Sequence, residues 1–260
     1  MAEREVAERL RAAGCVFAED EARLLLEAAA DDVALAELVA RRVTGEPLEY
    51  LVGWAEFRGE RVAVTPGVFV PRRRTAFLVE EAVRLARAFP KPIAVDLCCG
   101  SGAVGLSFAR TLAAEGIEVQ LSAADLEPVA VECARRNLAG LGTPVHQGDL
   151  FDALPGDLRG HIDILLANTP YVPTDLIARM PAEARDHELR TALDGGSDGL
   201  DIFRRVVAGA RAWLAPGGHL LAEAGAGQTD SALRTLEAHG LAGRIAESEE
   251  YYATVVIGTR

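Results

Sequence analysis

The stretch Val95-Asp96-Leu97-Cys98-Cys99-Gly100-Ser101-Gly102-Ala103-Val104-Gly105 limits the possible folds more than any other. An apolar run breaks into a glycine turn and reopens with small helix-forming residues, so a strand, a tight bend and a helix follow in direct succession. Gly100 and Gly102 let the backbone bend sharply and approach a ligand with no Cβ in the way. The same letters satisfy Gly-x-Gly-x-x-Gly, which brings a nicotinamide-dependent dehydrogenase into view. Asp96 argues against it, because a carboxylate just before the turn repels a pyrophosphate. It suits S-adenosylmethionine, whose ammonium and sulfonium groups are both cationic.

From Ile93 onward strand and helix patterns alternate, which predicts a doubly wound α/β sheet. Strands are expected near 93–99, 119–125, 145–147, 162–167 and 219–223. Helices are expected near 103–114, 128–139, 199–214 and 229–239. Segments 244–249 and 253–258 read as two closing strands, with the final one antiparallel. In such sheets ligands lie beyond the carboxyl ends of the strands. Asp125 ends the second strand, where it can accept hydrogen bonds from ribose hydroxyls. Asp149 follows the third, placed to receive an adenine amino group while Leu150 packs on the ring.

The fourth strand runs into Asn168-Thr169-Pro170-Tyr171. Thr169 precedes a proline and is biased to extended geometry, so its carbonyl points outward. The Asn168 side-chain oxygen and the Thr169 carbonyl then converge as two acceptors for one planar amine, and Tyr171 offers a flat face. No Ser-His-Asp set and no metal-ligand cluster accompanies this hook, so no metal is expected.

Before the sheet, residues 1–45 carry apolar positions such as Val6, Leu10, Leu24, Leu25, Leu35 and Leu38 at helical spacing, with Gly14 and Asp31-Asp32 dividing them into three short helices. This lobe fits two roles, a docking platform for a macromolecular substrate or a cap over the main domain. Residues 46–75 read as a linker built on a β-hairpin from about Trp54 to Val64, in which Gly and Pro interrupt any helix. Arg72-Arg73-Arg74 reads as a solvated loop or as the border of the cofactor pocket. Residues 76–260 form the main domain, opening with an amphipathic helix over about 76–88.

The formal charge of −12 disfavours duplex DNA, whose recognition rests on clustered Lys and Arg. Cys15, Cys98, Cys99 and Cys133 show no paired metal spacing and read as reduced thiols, consistent with a cytoplasmic protein. No apolar run reaches the roughly 18–20 residues of a membrane span, so no membrane partner is expected. The oligomeric state is not encoded legibly.

The combination of Arg42–Gly59, Pro71-Arg72 with Thr75, Asp96–Gly102, Asn168–Tyr171, Ala192–Leu200 and Glu223 with Gln228 resembles the bacterial release-factor glutamine N5-methyltransferase family. The resemblance implies a class I S-adenosylmethionine-dependent methyltransferase, a Rossmann-like doubly wound sheet with an antiparallel last strand, behind a small N-terminal helical domain. It implies S-adenosylmethionine held by Cys98, Cys99, Gly100, Ser101, Gly102, Asp125, Leu150 and Asn168. It also implies a target glutamine of a protein substrate, such as a release factor, held by Asn168, Thr169, Pro170 and Tyr171. This chain departs from the family pattern at Thr169, where a second proline is usual. It departs again at Arg73 and Ala76, where Pro-Arg-Pro-x-Thr-Glu has become Pro-Arg-Arg-Arg-Thr-Ala. The alternatives are an N-methyltransferase acting on an exocyclic base amine, which is equally planar, and a non-catalytic binding protein that keeps the fold.

Overall fold

The computed structural model describes residues 1–260. Three helices open the chain: α1 (Glu3–Ala12), α2 (Ala18–Ala28) and α3 (Asp32–Val43). Gly14 takes the left-handed φ of 95° just after α1. Asp31 caps α3, its side chain accepting the Ala34 N–H at 2.8 Å. Val6, Leu10, Ala22, Leu25, Leu35 and Val39 form a separate apolar core for this lobe. Within it the buried Arg42 guanidinium meets Glu21 at 2.6 Å.

The linker differs from the expectation of no helix, because α4 (Leu48–Val52) precedes the hairpin. Pro47, with φ −54° already suited to a helix start, and Gly53, left-handed at φ 81°, bracket this single turn instead of preventing it. Strands β1 (Trp54–Phe57) and β2 (Glu60–Ala63) then pair antiparallel. Next comes α5 (Ala76–Ala86).

The main sheet follows as β3 (Ile93–Leu97), α6 (Ala103–Ala114), β4 (Gln120–Asp125), α7 (Pro128–Leu138), β5 (Val145–Gln147) and β6 (Ile162–Ala167). Two short helices not expected from sequence, α8 (Ala182–His187) and α9 (Arg190–Leu193), lead to α10 (Asp201–Trp213). The chain closes with β7 (Leu214–Ala224), α11 (Thr229–Ala238), β8 (Ala242–Ser248) and β9 (Ala253–Thr259). The strand order is β5-β4-β3-β6-β7-β9-β8, parallel from β5 through β7, with β9 antiparallel to both β7 and β8.

Alternate residues of the strands feed two cores. Ala94, Ile164, Leu166, Val255 and Ile257 pack with α5 and α6 residues such as Leu78 and Phe108. Val95, Leu97, Leu165, Ala167 and Val256 pack against Phe203, Val207 and Leu236 of α10 and α11. Burial on both faces explains why these strands read as continuous apolar runs. No helix is long and apolar enough to cross a membrane.

Candidate active site

The connections leaving β3 and β6 run to opposite sides, so these adjacent strands form the switch point of the sheet. Leu97 pairs in register with Ala167, which sets the glycine turn and the Asn168 hook side by side at the strand ends. β3 stops at Leu97 because Cys98 adopts a left-handed φ of 57°. Gly100 follows at φ 54°, its N–H donating to Asp125 Oδ2 at 2.8 Å. The other Asp125 oxygen accepts the Glu127 N–H at 3.0 Å.

Asp96 is buried, and its Oδ2 accepts the Gly105 N–H at 2.8 Å. Burial pushes its pKa up to about 7, against the pull of that N–H, and the nearby Asp125 charge adds to the rise. Gly105 is required there, since a Cβ would lie 2.9 Å from the carboxylate. Burial likewise raises Asp125 and holds the Cys98 and Cys99 thiols well above the usual thiol range. The two cysteines are therefore protonated and not poised as nucleophiles.

In the hook, Asn168 Oδ1 is buried with no hydrogen-bond partner, and no donor of the chain reaches the Thr169 carbonyl. A buried acceptor left open calls for a partner, which a bound ligand or an ordered water supplies. Tyr171 donates its OH to Glu223 Oε1 at 2.7 Å, and its own carbonyl accepts from Gln228 Nε2 at 2.8 Å. The glycines of 195–199 let the following loop press on the hook. A Cβ on Gly195 would come within 2.7 Å of the Pro170 carbonyl, and one on Gly199 within 2.2 Å of the Tyr171 carbonyl. That close packing accounts for the Asp194-Gly195-Gly196-Ser197-Asp198-Gly199 run.

Asp96, Cys98, Cys99, Gly100, Ser101, Asp125, Asp149, Leu150, Asn168, Thr169, Pro170 and Tyr171 all line one cavity. Gly102 does not. It sits at φ 76° against α7, where a Cβ would lie 3.1 Å from Leu138 Cδ1. Asp149 is exposed and its Oδ2 accepts from Arg205 at 2.6 Å.

Sequence reasoning missed the wall contributed by residues 180–193. Met180, Leu189, Thr191, Ala192 and Leu193 line the same cavity. Two ion pairs hold this segment. Arg42 of the helical lobe meets Glu183 at 2.6 Å, and Arg72 meets the buried Glu188 at 2.5 Å. Val70 N–H also donates to Glu188, at 3.2 Å. Of the three arginines, Arg72 and Arg74 border the cavity and Arg73 faces solvent, so the run combines both of its sequence readings. Phe69, also on the cavity wall, carried no sequence signal beyond its hydrophobicity.

Comparison with known proteins adds to this geometry. Residues 61–187 match the methyltransferase small domain family. A Geobacter sulfurreducens protein named release factor glutamine methyltransferase is 42% identical over 75% of this chain. The match spans 66% of that relative, just under two thirds of its length. A Bradyrhizobium diazoefficiens protein of the same name is 35% identical over 87% of this chain and 82% of its own length. A Streptomyces pristinaespiralis protein named 4-amino-L-phenylalanine/4-methylamino-L-phenylalanine methyltransferase is 38% identical over 78% of this chain and 69% of its own.

Proposed function

Because the chain belongs to the release factor glutamine methyltransferase family, we propose that it methylates the N5 nitrogen of a glutamine side chain in a protein, with S-adenosylmethionine as donor. The release factor named for its relatives is the substrate we assign. One observation carries the reading: Asn168 Oδ1, a buried acceptor with no partner, lies beside the unengaged Thr169 carbonyl on the wall of the cavity that the glycine turn also lines.

The residues present fit the donor. Asp96 and Asp125 line the cavity with no cation of the chain paired to either, which suits a ligand bearing two positive groups. Cys98, Cys99, Gly100 and Ser101 would follow its backbone-facing edge, with Asp125 accepting from ribose hydroxyls and Leu150 packing on the adenine. When bound, S-adenosylmethionine supplies an electrophilic methyl group on a sulfonium.

A glutamine amide nitrogen is a weak nucleophile because its lone pair is delocalised into the carbonyl. Asn168 Oδ1 and the Thr169 carbonyl would accept its two N–H bonds, and Pro170 and Tyr171 would hold its plane. The hook thus acts by positioning and by preorganised dipoles. Neither acceptor is a base, so the chain takes up no proton at the hook, and the proton lost on N-methylation would pass to water. A protonated lysine is excluded as acceptor because an ammonium has no lone pair.

Residues 1–45 we assign as the docking lobe for the protein substrate and residues 46–75 as its linker to the main domain. Support comes from the lobe's own apolar core and from its Arg42 contact with the cavity wall. A second reading, an arylamine acceptor on a free amino acid, is favoured by the name of the Streptomyces relative and by a hook that takes any planar nitrogen.

The test uses purified release factor, isotopically labelled donor and mass-spectrometric mapping. One glutamine is expected to gain the methyl, and Asn168→Ala is expected to lower turnover by about 100- to 1000-fold. Methylation of 4-aminophenylalanine with none on the release factor would select the second reading. Full activity of Asn168→Ala would refute both.

A further inference from the structure

We propose that Glu223 and Gln228, at the end of β7 and just beyond it, are positioning residues that clamp Tyr171 from both ends. This rests on the reading of Asn168–Tyr171 as the acceptor hook.

Glu223 is 4% exposed, and both of its oxygens are engaged. Oε1 accepts from the Tyr171 OH at 2.7 Å and is ion-paired with Arg74 Nε at 2.8 Å, and Oε2 accepts from Thr75 Oγ1 at 2.7 Å. Arg74 also stands over the Tyr171 ring, 5.4 Å from its centroid. Both oxygens of the carboxylate are thus engaged within the protein. Its consequence is geometric, because the phenol oxygen of Tyr171 is tied to a charge that is itself tied to two other residues.

Gln228 fixes the other end of the same residue. Its Nε2 donates to the Tyr171 carbonyl and to the Asp198 carbonyl, each at 2.8 Å, while its Oε1 accepts the Gly225 N–H at 2.7 Å. Gly199 makes this approach possible, since a Cβ there would lie 2.2 Å from both Gln228 Nε2 and the Tyr171 carbonyl. With its backbone and its hydroxyl both held from the β7 end, the Tyr171 ring has one orientation when the acceptor arrives. An amide plane leaning on that ring inherits it.

The experiment is a double-mutant cycle on the full chain with Tyr171→Phe, Glu223→Ala and the pair, plus Glu223→Gln as the conservative variant. Each of the first two is expected to lower kcat about 10- to 100-fold, the scale of one hydrogen bond to a charged group, with donor Kd unchanged within about twofold. The pair is expected to lose no more than the worse single variant. Glu223→Gln, which keeps an acceptor for the phenol, is expected to recover kcat to within about threefold of wild type. A second readout needs no turnover: hydrogen exchange of the Asn168, Thr169, Tyr171 and Val172 amides should accelerate in Glu223→Ala and stay at wild-type rates in Glu223→Gln. Multiplying losses in the pair, wild-type kcat in Tyr171→Phe, or unaltered exchange in Glu223→Ala overturns the clamp. The functional reading fails separately, when the wild-type chain methylates no glutamine, and kcat is taken on whichever planar-nitrogen acceptor the wild type uses.

Discussion

Asp96→Asn should make the free protein more stable and the donor complex weaker. The Asp96 carboxyl is buried, and its pKa stands at about 7 against an ordinary 3.8. Holding it ionised in the folded state therefore costs on the order of 4 kcal/mol, reduced to roughly 2–4 kcal/mol once local relaxation is allowed. The sign follows from proton binding. Below pH 3.8 the carboxyl is neutral in both folded and unfolded chains. Between 3.8 and 7 the folded chain binds the extra proton, so stability falls as pH rises through this window, and above 7 the loss is complete. Asparagine keeps an oxygen for the Gly105 N–H and carries no charge. Its advantage should be absent near pH 4, grow to pH 7 and then level, reaching roughly 5–10 °C in Tm at pH 8. The same change removes one of the two carboxylates expected to face a cationic ligand, so S-adenosylmethionine should bind roughly 100-fold more weakly. Wild-type affinity should itself decline below pH 7 as Asp96 protonates. Differential scanning calorimetry across pH 4–8 and titration calorimetry of the donor read both effects. A Tm difference independent of pH, or an unchanged Kd, would show that Asp96 is neither the strained charge nor the donor's counter-charge.

Gly199→Ala combines a left-handed φ of 77° with a Cβ placed 2.2 Å from the Tyr171 carbonyl. It should cost about 3 kcal/mol or more in chemical denaturation and at least about 100-fold in methyl transfer. Arg72→Ala strips Glu188 of its cation while the carboxylate stays buried with Oε2 unpartnered. It should cost about 1–3 kcal/mol, since Arg72 is itself a third exposed, and should speed proteolysis between Met180 and Leu193. A wild-type digestion pattern would mean that the segment is held by other contacts.

The sheet was legible because its strands are buried on both faces, so Ile162–Ala167 and Ile93–Leu97 read as short apolar runs bounded by turns. The glycine turn and the Asn168 hook were legible because each sits at such a strand end, where the fold itself decides what they face. Helices α8 and α9 were not, having six and four residues. Isolated helices that short are unstable, and here tertiary partners hold them: Arg42 on Glu183, Arg72 on Glu188 and Thr191 on Glu127. The ion pair between Asp149 and Arg205 was equally hidden, because 56 residues separate the partners.

The departures from the family pattern spare the residues expected to hold the donor. The residues expected at the donor side, from Asp96 through Ser101 with Asp125, keep the pattern, and their contacts are to one another and to backbone N–H groups. Changes fall at Arg73, Ala76 and Thr169, of which Thr169 alone lines the cavity. Thr169 contributes its carbonyl to the hook, a group proline also carries, and its position before Pro170 retains the extended geometry. Arg74, at the variable position of the Pro-Arg-Pro-x-Thr-Glu pattern, places a cation over the Tyr171 ring and on the buried Glu223. A chain that had only lost its function would be expected to drift at buried polar groups first, since an unpaired buried charge is costly. Here the buried Glu223 keeps partners in Tyr171, Thr75 and Arg74, so no such drift is seen beside the hook.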